Sequence, residues 1–171
     1  MLLQVLLALA LLAVFYQDRK YRAVYWWMYP LLVVLLLFLK KETISWPVIL
    51  QDGLCNLVFL ILQLLVLSMY FSLKKKRWVN ITAGYLGWGD ILFLIAATVY
   101  FSPLNYFAFY LLSLIVVILL VLLSGKYKLD NYKIPLAGWQ SVFFLLLLLL
   151  EWNRVIPNLR DDDWLMEKLV F

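Results

Sequence analysis

The chain has 171 residues, 67% of them hydrophobic and 15% charged, with a formal net charge of +5. Ordinary soluble domains are roughly half apolar, so this composition excludes one and leaves room for about six membrane spans of about 20 residues. There is no histidine, and one cysteine, Cys55, lies inside an apolar run, which excludes the common zinc sites and Ser-His or Cys-His catalysis. Chemistry at depth is left to carboxylates, lysines and tyrosines, with no cofactor or metal expected. The basic residues fall in short clusters between apolar runs, the pattern of membrane loops, so lipid is the expected partner and nucleic acid is not.

The first run, MLLQVLLALALLAVFY, lacks a positively charged lead-in and reads as an uncleaved span over Leu2–Tyr16, ending at QDRKYR. A second span covers Val24–Leu39, with tryptophans and tyrosines at its start that suit an interfacial belt. After the loop KKETISWP comes a third span, Val48–Leu73, whose polar opening VILQDGLCN contains Asp52, Cys55 and Asn56. Asp52 is expected to be a helix-start residue near the interface, and Cys55 a small buried residue. KKKR follows as a topology anchor, and WVNITAGYLGWGD leads into a short fourth span, Asp90–Phe101. SPLN turns the chain into a fifth span, Tyr106–Leu123, and SGKYKLDNYK precedes a sixth, Ile134–Trp152. The expected organisation is an all-α, six-span membrane domain over 1–152 and a polar, partly amphipathic C-terminal tail over 153–171.

Positive charge orients such a chain. With the N-terminus outside, the inside loops DRKYR, KKKR and GKYKLDNYK hold ten of the fifteen basic residues. Both termini then lie outside. Asp18 ends the first span and Asp90 begins the fourth, so two carboxylates arrive at the same depth on the cytoplasmic side. Carboxylates brought close share a proton. One can then activate a water while the other, protonated, polarises a carbonyl. Gly87 and Gly89 lack side chains and let backbone or substrate come close to Asp90.

These residues resemble a known family. GWGDILFLIAATVYFSPLNYFAFYLLSLIVVILL is similar to the Gly-x-Gly-Asp segment and following helical hairpin of the prepilin peptidases, membrane aspartyl proteases of bacteria and archaea. LLAVFYQDRKYRAVYWWMYPLL resembles their first aspartate segment, and NYKIPLAGWQSVFF their Ile-Pro-Phe-Gly-Pro element, with Leu136 and Ala137 in place of Phe and Gly. The resemblance implies a multi-pass enzyme of the cytoplasmic (inner) membrane. It would cleave the leader from type IV pilin-like precursors, with Asp18 and Asp90 catalytic and Gly87 and Gly89 as supporting backbone. It departs from the family where AVYWW replaces Ile-Pro-Asn and Leu92 replaces a lysine. The paired Cys-x-x-Cys of members that also methylate the new N-terminus is not found here, so cleavage without methylation is expected. Presenilin-type proteases share Gly-x-Gly-Asp, but have Tyr-Asp where Gln17-Asp18 stands and Pro-Ala-Leu where Pro135-Leu136-Ala137 stands. The non-enzymatic alternative is a small transporter, channel or scaffold whose aspartates bind a cation or pair structurally, with Asp52 and Asn56 its best support.

Overall fold

The computed structural model describes residues 1–76, 86–124 and 135–164. Arg77, most of the lead-in to Gly87, the loop GKYKLDNYK and the end of the tail lie outside the described residues. The described residues form an all-α arrangement of six helices: α1 (Leu2–Tyr21), α2 (Met28–Lys41), α3 (Trp46–Lys75), α4 (Trp88–Thr98), α5 (Pro103–Ser124) and α6 (Leu136–Trp152).

Six helices stand where six spans are expected, but their lengths differ. Among the described residues α1, α3 and α5 are long and apolar enough to cross a membrane, which suggests a multi-pass membrane protein. The apolar helices α4 and α6 are shorter. The 11 residues of α4 rise only about 17 Å, against a hydrocarbon core of about 30 Å. The cause lies at its C-terminal end, where the Asn56 amide donates to the carbonyls of Thr98 and Phe101, both at 2.9 Å. Pro103 then disfavours helix at the residue before it and opens α5. Asp162 caps that new helix. Its carboxylate accepts from the Ser102 hydroxyl at 2.5 Å and from the amides of Leu104 and Asn105 at 3.3 and 3.4 Å.

At the other end of the chain order, α1 runs past Tyr16 to Tyr21 and carries Asp18 within the helix. The extension is held by α6. The Arg19 guanidinium lies 5.5 Å over the Trp139 ring and 5.8 Å over Phe15, and those two rings meet edge to face at 5.5 Å. Arg22, with φ 54, ends the helix in a left-handed turn and donates its N–H to the Asp18 carbonyl at 3.0 Å.

Helix α6 is the centre of the bundle. It packs along α1 and also touches α4 and α5, while α2 leans on α1 and α4, and α3 on α4 and α5. Between them Phe101 stacks on Phe109 and tilts against Phe144, with ring centroids 4.8 Å apart in both pairs. Only the first half of α3 is buried, through Ile49, Asp52, Asn56 and Leu60. Its second half presents Leu62, Leu65, Val66, Met69 and Leu73 outward, as a lipid-facing helix would.

One expectation about this helix is corrected. Cys55 is exposed, because it falls off the stripe formed by 49, 52, 56 and 60. Asp52 lies in the second turn of α3, where it is buried and accepts from Lys40 Nζ at 2.7 Å, and the Lys40 side chain is fully buried. Lys40 was expected to lie in a loop. Its remaining bond goes to the Phe101 carbonyl at 3.3 Å.

The described part of the tail folds back onto this same end of the bundle. Arg160 pairs with Glu151 at 3.2 Å and reaches the Leu39 carbonyl at 3.3 Å. Glu151 also accepts from the Tyr100 hydroxyl at 2.7 Å and the Leu159 amide at 3.3 Å. A polar layer of Lys40, Asp52, Asn56, Glu151, Arg160 and Asp162 thus closes one end. The aspartates singled out by sequence lie at the other.

Candidate active site

The opposite end is built on the first turn of α6. The first amides of a helix have no partner within it, and the local dipole favours negative charge there. The Ala137 N–H donates to Asp90 Oδ1 at 2.7 Å. The next amide, Gly138 N–H, donates to Asp18 Oδ2 at 2.6 Å. Consecutive residues of one helix, a rise of about 1.5 Å apart, therefore hold both carboxylates. The structure brings together the two aspartates that the sequence paired.

Glycine makes this approach possible. A Cβ on Gly138 would stand 3.0 Å from Asp18 Oδ2 and 3.2 Å from Asp18 Cβ. Asp90 is at the third position of α4 and reaches back to the Gly87 N–H at 3.0 Å, the acidic half of a capping box. A Cβ on Gly87 would meet Asp90 Oδ2 at 3.1 Å, and one on Gly89 would lie 2.8 Å from the Tyr29 hydroxyl. Both glycines marked by the sequence thus stand at close contacts, tighter at Gly89 than at Gly87. The site is sheltered but reachable: Asp18 is buried and Asp90 partly so, while Gly87 and Trp88 are exposed beside it.

Two features escaped sequence reasoning. The amides of 137 and 138 carry no side-chain signature, and Gly138 was visible only as part of the Pro-Leu-Ala-Gly element. Tyr29 was one of eleven tyrosines and was taken for the interfacial belt. Its side chain is buried, and the charges of both Asp18 and Asp90 reach its hydroxyl.

Chemically, two neighbouring carboxylates, one buried and one partly buried, can exchange a proton and act in turn as base and acid. Among the described residues no group of three or more His, Cys, Asp or Glu stands ready to hold a metal ion. Asp52 and Asn56, the support for a transporter, channel or scaffold, are engaged with Lys40 and with the end of α4. Comparison of the chain with protein-family models, curated proteins and solved structures finds no match.

Proposed function

We propose that this protein is a membrane aspartyl endopeptidase of the prepilin-peptidase type. It would remove the leader of type IV pilin-like precursors at the cytoplasmic face of the membrane. In this reading all six helices lie in the bilayer, the three short ones shielded by their neighbours, with both termini outside and the Asp18–Asp90 end inside. The observation that carries the reading is the seating of both carboxylates on the consecutive amides of Ala137 and Gly138.

The pair shares one proton. The ionised carboxylate takes a proton from a water whose oxygen bonds to the scissile carbonyl carbon. The partner carboxyl gives its proton to the carbonyl oxygen, and a neutral gem-diol results. On collapse the C–N bond breaks, and the amine nitrogen takes a proton from the carboxyl that served as base. A diol hydroxyl returns its proton to the other carboxylate, so the pair regains its starting state. No metal, histidine or covalent intermediate is needed.

The test is direct. Purified protein in lipid nanodiscs is mixed with a pilin-type precursor peptide containing a basic leader and an apolar helix. Cleavage at their junction, absent in Asp18→Asn, is expected. Equal cleavage by the variant would overturn the reading, as would no cleavage by the wild type across a panel of such precursors.

A further inference from the structure

Tyr29 sits in the first turn of α2, and its side chain is 3% exposed. Among the described residues its hydroxyl has no hydrogen-bond partner. That is unusual, because most buried polar side-chain atoms in folded proteins are bonded, and leaving one unbonded costs roughly 1–3 kcal/mol. Phenylalanine would fill the same space without that cost. The hydroxyl lies against the backbone of Gly89, next to Asp90 in the chain, and within electrostatic reach of both carboxylates. The glycine is what lets it lie there, since any side chain at 89 would collide with it. A phenol is also a suitable neutral donor beside two groups that share a single negative charge.

We infer that the Tyr29 hydroxyl is a catalytic hydrogen-bond donor to the scissile carbonyl oxygen, alongside the proton supplied by the aspartate pair. This rests on the peptidase reading above. As the water attacks, charge builds on that oxygen, and the phenol, covered in the substrate-free protein, stabilises it once bound substrate parts it from Gly89. The proton of Tyr29 is not transferred. The bond is strongest while that oxygen carries developing negative charge, before the proton neutralises it in the diol, so the role belongs to the transition state more than to substrate binding.

Tyr29→Phe removes the hydroxyl alone. On a cleaved precursor, kcat should fall by about 10²–10³, the cost of losing one such donor, with KM nearly unchanged. The melting temperature should not drop, since no protein hydrogen bond is lost. A peptide isostere bearing a tetrahedral hydroxyl at the cleaved position should bind the variant more weakly by a comparable factor. Gly89→Ala supplies a second arm: it displaces the phenol and should slow the wild type, yet add little to Tyr29→Phe. The inference falls if Tyr29→Phe keeps kcat within a factor of about three of wild type. It also falls if the variant binds the isostere as tightly as wild type, or if the two substitutions are additive. In each of these cases the wild type still cuts, and the peptidase reading stands. If the wild type cuts nothing, both fall together.

Discussion

The Asp18 carboxylate occupies the space where a side chain of residue 138 would stand, with Oδ2 only 3.0 Å from the position of a Gly138 Cβ. The nearest atoms include the Cβ of Asp18 itself, at 3.2 Å, so the strain cannot be relieved by turning the carboxylate alone. Helix α1 must move away from α6, or Asp18 must leave its amide.

Gly138→Ala should therefore lower stability by about 1–3 kcal/mol, as overpacking does, and reduce cleavage severely. Gly53→Ala is the control. Gly53 lies inside α3 with nothing within 4 Å of the added methyl, so that change should stabilise by about 0.5–1 kcal/mol. Thermal unfolding in detergent, run beside the cleavage assay, separates the two.

Asp18→Asn and Asp90→Asn should each abolish cleavage as fully as the double variant, since groups that act as one unit are non-additive. Their stabilities should differ. Asp90 accepts N–H bonds on both oxygens, from Ala137 and from Gly87. An asparagine has one acceptor oxygen, so its NH2 would face one of these donors, at a cost of about 1–3 kcal/mol. Asp18 can keep its bond to Gly138 through the amide oxygen. A lower melting temperature for Asp90→Asn than for Asp18→Asn checks the arrangement independently of activity.

The Lys40–Asp52 pair should behave as a buried ion pair. Lys40→Met strands the carboxylate of Asp52 and should cost about 3–5 kcal/mol, whereas adding Asp52→Leu should recover most of the loss. The double variant should still cleave, because the pair closes the end of the bundle away from Asp18 and Asp90. Loss of cleavage in a stable double variant would mean that the two ends are coupled.

Arg160 ties the tail to Glu151 and Leu39. Arg160→Ala leaves the buried Glu151 without its cation and should destabilise by about 1–3 kcal/mol. Limited proteolysis should show faster cutting after Trp152, the last residue of α6.

Topology is read with single cysteines in a Cys55→Ala background. One at Lys75 should be labelled only after the membrane is opened, and one at the exposed Asp163 should react from outside. Labelling of Lys75 in intact cells would reverse the orientation and place the aspartates outside.

Hydropathy located all six helices, because long apolar runs parted by charges have one reading. The ends were harder to place. The polar segment Gln17–Tyr21 looks like a loop in sequence and is helix in the structure, since Arg19 stacks on Trp139 and Asp18 finds an amide far along the chain. Lys40 looked like a loop residue for a similar reason, as its partner Asp52 belongs to the next helix. The aspartates were legible through their order, charge context and glycines. Their common anchor was not, because main-chain donors leave no letter in the sequence. Tyr29 was hidden by the abundance of aromatic residues around it.

That anchor has an evolutionary consequence. Only proline deletes the amides of 137 and 138, so other side chains in this turn of α6 are free to drift within limits of size. What cannot drift is the count. One residue inserted between Pro135 and Gly138 would rotate the turn by about 100° and advance it by about 1.5 Å, handing each carboxylate the wrong donor. The site is thus stored as a spacing, tolerant of spelling changes and intolerant of insertions and deletions.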